Sequence, residues 1–130
     1  MKAYTVIILT LLAFAGMGFH YDYNCEWKAP ESANKIKNPL KGDQKAVAAG
    51  EALFLQQCAV CHGNKGKGNG VAGASLNPKP ANFWKDCVQE QSDGALYWKL
   101  NKGKGPMPSF SHLKEEQKWE LVNFIRTFKK

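Results

Sequence analysis

The sequence predicts an all-α domain, and three observations carry that reading. Apolar residues recur at helical spacing in two separate stretches, and no stretch alternates apolar and polar residues as a half-buried strand does. The segment between the two stretches is too rich in glycine and proline for either element. At 130 residues the chain has room for one such domain.

The first helix starts near Gln44, where Val47, Gly50, Phe54 and Cys58 recur at three or four residues with Glu51, Gln56 and Gln57 between them. A helical glycine costs about 1 kcal/mol relative to alanine, so Gly50 implies that another element passes close to it. The helix runs into Cys58-Ala59-Val60-Cys61-His62. Beyond it come Gly63, Gly66, Gly68, Gly70 and Gly73, then Asn77-Pro78-Lys79-Pro80, a long loop of the kind that is usually functional. Ser92 and Asp93 cap a short helix carrying Leu96, Tyr97 and Leu100, which Gly103 stops. A last helix extends from Glu115 to Phe128. Acids open it, bases close it, and Leu121, Val122, Ile125 and Phe128 share one face.

Residues 1–15 read as a signal peptide: Lys2, an apolar run from Val6 to Phe14, and a small-x-small site at Ala13-Phe14-Ala15. The mature chain then begins near Gly16, and the protein is periplasmic. The alternative is an uncleaved anchor from Ala3 to Phe19, at the lower limit of about 17 residues for a span, but Gly16 and Gly18 end the apolar run early. Residues 16–43 read as an extended arm, with Pro30, Pro39 and Gly42, and with Trp27 available for packing. Residues 44–130 form the domain.

The composition, 44% hydrophobic and 22% charged, excludes wholesale disorder and collagen-like architecture, and four cysteines are too few for a disulfide-built miniprotein. The net charge is +7, yet Arg126 is the only arginine. A lysine-borne charge suits solvated docking between proteins rather than bidentate reading of nucleic acid, which is not expected as a partner.

The chemistry lies in Cys58, Cys61 and His62. C-x-x-C-H is the attachment signature of a c-type haem: two thiols three residues apart point the same way and reach the two vinyl groups, while the adjacent imidazole is carried to the iron. Three other readings compete. A thioredoxin-like pair requires a preceding strand and a βαβ context, which the chain lacks. Structural zinc requires four ligands, drawn here from Cys25, Cys87 or a distant histidine at irregular spacing. A Cys58–Cys61 disulfide is the third. Export, the Gly-rich loop and a sixth-ligand candidate favour one haem c bound through Cys58 and Cys61. That candidate is Met107, in Gly105-Pro106-Met107-Pro108, where prolines stiffen the chain on both sides. A core-filling methionine would normally lie on an apolar helical face. Met17 belongs to the start of the mature chain, and His112 is the rival ligand.

These residues resemble a known family. Cys58-Ala-Val-Cys61-His62-Gly63, the glycine loop, Leu76-Asn-Pro78-Lys-Pro80, Gly105-Pro-Met107-Pro-Ser-Phe110 and Trp119-Glu-Leu-Val-Asn-Phe124-Ile-Arg126 are similar, in that order, to a class I monohaem cytochrome c of the bacterial periplasm. The resemblance implies first and last helices that cross, Phe124 lying against Gly50 with Phe54 nearby, and a haem in the cleft with one edge exposed. It also implies a proline carbonyl, from Pro78 or Pro80, that accepts from His62 Nδ1. Lys114 departs from the usual Ser or Thr cap of the last helix, and Cys25 and Cys87 lie outside the family pattern.

The expected function is therefore single-electron shuttling between respiratory or other redox complexes, not enzymatic catalysis. A haem-based sensor or catalytic haem subunit, with a displaceable sixth ligand, is the alternative; the single C-x-x-C-H excludes a two-haem peroxidase. Lys65, Lys67, Lys79, Lys102 and Lys104 lie close in sequence to the segments that frame the haem, and would steer it to an acidic patch on an oxidase or reductase. Membrane association is expected only through such partners or an uncleaved anchor. In an oxidising compartment Cys25 and Cys87 are set to pair, tying the arm to the domain. Lipid attachment at Cys25 lacks the small residues it needs before the cysteine.

Overall fold

A computed structural model describes residues 26–129; the signal segment, the first part of the arm and Cys25 lie outside the described residues. Helix α1 (Gln44–Gln57) opens at Asp43, whose carboxylate accepts from the backbone N–H of Lys45 at 2.8 Å and of Ala46 at 3.3 Å. Ala46, Gly50 and Phe54, four residues apart, form its buried stripe. Cys58 ends α1, and a single turn, α2 (Ala59–His62), follows and is closed by Gly63 at φ +76°. Another single turn, α3 (Asp86–Gln89), precedes α4 (Asp93–Lys102), where Ser92 Oγ accepts from Ala95 N–H at 3.0 Å and Gly103 closes the helix. Helix α5 (Glu115–Arg126) lacks a hydroxyl cap, and Gln117 Oε1 instead accepts from the Lys114 backbone N–H at 3.0 Å. Phe128 lies two residues past the helix yet stays buried.

Helices α1 and α5 cross, with Phe54 and Phe124 ring centroids 5.1 Å apart and Phe54 fully buried. A Cβ at Gly50 would stand 3.1 Å from Phe124 Cβ, so Phe124 lies against Gly50 as expected. Trp119, on α5, stacks on Tyr97 of α4 at 4.1 Å and completes the core with Leu121 and Val122. Arg126 ties the end of α5 to α3 and α4: its Nε bonds Asp93 Oδ1 at 2.7 Å and its guanidinium donates to the carbonyls of Gln89 and Gln91. No strand occurs among the described residues, and none of their helices is long and apolar enough to cross a membrane.

Three short elements depart from the sequence reading. The arm is not wholly extended: Glu31–Lys35 forms a 3₁₀ helix that buries Ala33 and lays the carbonyls of Ala33 and Ile36 on Gly94 of α4. A 3₁₀ turn, Val71–Gly73, interrupts the glycine loop, and α3 was not expected at all. Elements of three to five residues are too short to show a period, and contacts to the rest of the fold, not local propensity, hold them.

Candidate functional site

Backbone bonds within the turn set the site. Cys58 N–H donates to Phe54 O at 2.8 Å, and Cys61 and His62 N–H both return to Cys58 O, at 3.1 and 2.9 Å. Cys58, Cys61 and His62 thereby line one cavity of about 260 Å³, whose other walls include Phe54, Phe83, Leu96, Leu100, Phe110 and Leu121. The glycine loop wraps this turn closely. Gly70 N–H donates to Cys61 O at 3.0 Å, and a Cβ at Gly70 would stand 2.4 Å from Val60 O, so the approach requires glycine.

His62 is buried and its ring stacks on Phe83 at 4.5 Å. Nδ1 lies 3.0 Å from the Ala81 carbonyl. A carbonyl only accepts, so Nδ1 carries the proton and Nε2 keeps its lone pair. Burial lowers the imidazole pKa, against the opposing pull of the Ala81 bond, and so favours the neutral ring that ligates a metal. The acceptor is therefore Ala81, not Pro78 or Pro80. The Pro80 carbonyl turns instead toward Gly68, where a Cβ would stand 2.4 Å from it. Successive carbonyls of an extended segment point to opposite sides, which leaves only one of the pair to face His62.

Burial, then the neighbouring Cys61, pushes the Cys58 thiol up to about 12, and both cysteines are free. That raised pKa is the opposite of the depressed one that makes a thioredoxin-like cysteine reactive, and no strand precedes the turn among the described residues. No group of three or more His, Cys, Asp or Glu side chains that could hold a metal ion comes together among the described residues.

Met107 is half-buried and lines the same cavity. Its loop is closed on Lys104 by reciprocal backbone bonds: Lys104 N–H to Met107 O at 2.9 Å, and Met107 N–H to Lys104 O at 3.1 Å. Phe110 N–H then donates to Leu100 O at 2.8 Å and returns the loop to α4. His112 is exposed and does not line the cavity. Two thiols, a neutral imidazole and a thioether around an apolar cavity are the donor set that a haem c takes, so the residues present fit that cofactor.

Residues 45–125 match the family described as cytochrome c oxidase, cbb3-type, subunit III. The chain belongs to that family. The cytochrome c domain implies a covalently bound haem c, and haem-based electron transfer is the chemistry that such a domain supports. Among solved structures, the chain is similar to one from the Kuenenia stuttgartiensis reducing HAO-like protein complex, with a TM-score of 0.59, 25% identity, and 72% of this chain and 46% of that chain covered. It thus spans about half the length of that chain. A comparison with curated proteins finds no match.

Other residues of the cytochrome site had no signal in the sequence. Glu26 and Trp27 of the arm line the haem cavity, as does Lys99 of α4. Lys99 sits in a helix last turn like any solvent-facing lysine, yet it is buried, with the Trp27 ring of the arm 5.1 Å from its ammonium. The five lysines near the haem-framing segments are all exposed, and Lys79 and Lys104 reach the cavity wall.

Proposed function

We propose that the protein carries single electrons through one haem c, which Cys58 and Cys61 would hold by thioether bonds and whose iron His62 and Met107 would ligate. The observation that carries this reading is that one apolar cavity is lined by both thiols, by an imidazole whose Nδ1–H is committed to Ala81, and by the Met107 side chain. When bound, the haem supplies a one-electron redox couple. The protein's part is to orient and to exclude water. The Ala81 bond fixes the His62 ring, the Lys104–Met107 turn holds the thioether in place, and Phe54, Phe83, Leu96 and Leu100 keep the interior dry.

Export of residues 16–130 to the periplasm, with 1–15 as the signal, suits thioether formation and the remaining cysteines. The exposed lysines support docking on acidic patches of a redox partner. The likeness to a chain of a complex named as a reducing HAO-like protein complex supports work as a component within or beside a larger assembly. The test is the absorption spectrum of the exported protein. A reduced low-spin haem indifferent to carbon monoxide is expected of a carrier; rapid carbon monoxide binding by the wild type would give the sensor or catalytic reading instead.

A further inference from the structure

A ladder of rings leads from His62 to the surface. Phe83 lies 4.5 Å from the His62 ring and nearly parallel to it, at 19°, and Phe128 lies 6.1 Å from Phe83 at 17°. Trp84 meets Phe128 at 5.7 Å. The first three rings are buried, whereas Trp84 is 36% exposed. Two bonds fix the outer end: Trp84 Nε1–H donates to Lys65 O at 2.7 Å, and Phe83 N–H donates to Gly66 O at 2.8 Å. Gly66 lies on the ladder itself, since a Cβ there would stand 2.8 Å from the Phe128 ring and 3.0 Å from the Phe83 ring.

Core packing accounts for Phe83 and Phe128, which belong to the cluster around Phe54, but not for an indole left at the surface. The segments that carry the ladder's outer end, 63–70, 82–86 and 127–129, expose Lys65, Lys67, Lys85 and Lys129 against a single acid, Asp86. A large aromatic ring among cations fits a contact with an acidic protein, because tryptophan is enriched among the residues that carry binding energy and the charge steers the encounter. Neither Trp84 nor any of these four lysines lines the haem cavity.

We propose that Trp84 is the centre of an electron port on the His62 side of the cavity: an acidic one-electron carrier protein docks on it, and the electron passes through Phe128 and Phe83 to the His62 ring. This rests on the carrier reading above, with His62 as a ligand of the haem iron. The docked carrier loses one electron and the iron gains it; no bond is made or broken and no proton moves. Electronic coupling through a protein falls steeply at every gap between unbonded groups, and rings packed one on the next leave this route without a wide one. The Phe83 N–H bond to Gly66 O joins the lysine-bearing loop to the same route.

The probe is a plant-type two-iron ferredoxin, an acidic one-electron donor of low potential. Its oxidised form, added at low salt to the haem-loaded full chain, is expected to shift the Trp84 indole N–H signal and the Lys65 and Lys67 amides in NMR spectra. Flash reduction of the ferredoxin then separates docking from transfer. Trp84→Ala weakens docking by about tenfold. At saturating ferredoxin, Trp84→Leu slows the first-order step, and Trp84→Phe, which keeps a ring, retains it. Lys67→Glu lowers the second-order rate more than Lys102→Glu, an exposed position beside the methionine loop. The potential stays at the wild-type value in all of these variants, because none of the residues lines the cavity. A footprint centred on Lys102 and Met107, or wild-type rates in both Trp84→Leu and Lys67→Glu, would overturn the port while leaving the carrier reading intact. Exported protein without a haem band would overturn both.

Discussion

Gly50 lies directly against the backbone of Glu120: a Cβ on Gly50 would stand 2.0 Å from the Glu120 carbonyl oxygen. Backbone cannot rotate away as a side chain can, so the α1–α5 crossing requires glycine here. Alanine would favour the isolated helix by about 1 kcal/mol. Overpacking of this kind typically costs about 1–3 kcal/mol and more where no side chain can yield. Gly50→Ala is therefore expected to destabilise the protein, with a lower urea midpoint. An unchanged or raised midpoint would show that the crossing tolerates a methyl group.

Met107→Ala is expected to leave the iron with one open axial position. The ferrous haem then becomes high-spin and binds carbon monoxide, because His112 is exposed and away from the cavity. His112→Ala is expected to leave the spectrum unchanged. A low-spin, carbon monoxide-insensitive Met107→Ala protein would remove Met107 from the ligand set.

Cys87 is disulfide-bonded, and Cys58 and Cys61 are free. The sequence reading pairs Cys87 with Cys25, and a bridge closing so long a loop stabilises by about 2–4 kcal/mol. Intact-mass thiol counting of the haem-loaded protein is expected to show two new thiols on reduction, and peptide mapping to place them at Cys25 and Cys87. No gain of thiols, or a bridge involving any other cysteine, contradicts the pairing. Replacing both by serine is expected to lower the thermal midpoint without altering the haem spectrum.

Electron transfer to an acidic partner is expected to slow with added salt, as the Debye length shrinks from about 30 Å at 0.01 M to about 8 Å at 0.15 M. Lys65→Glu with Lys67→Glu is expected to lower the second-order rate most strongly at low salt. Both residues are exposed and neither lines the cavity, so the potential serves as a control and is expected to stay near that of the wild type. A rate indifferent to salt and to charge reversal would leave these lysines as solubilising groups alone.

The sequence by itself determined whatever depends on neighbours within a few residues. The helical face carrying Gly50, Phe54 and Cys58, the Ser92 cap, the Gly103 stop and the C-x-x-C-H turn are local patterns, each with a local physical cause; the structure buries Ala46 on that face where the sequence pattern offered Val47. Even the crossing left a local mark, because a close approach by Glu120 leaves only glycine admissible at position 50. Only the tertiary structure decided which carbonyl meets His62. Ala81 and Pro80 differ by one residue, and the side of the chain facing the ring follows from how the glycine loop seats the proline segment. It also decided the setting of Lys99. Its distance from water depends on Trp27, far away in sequence, lying over α4, and such a contact leaves no period, cap or motif along the chain. Desolvation is a property of the assembled cavity, so burial lowers the pKa of a group that the sequence showed as an ordinary lysine.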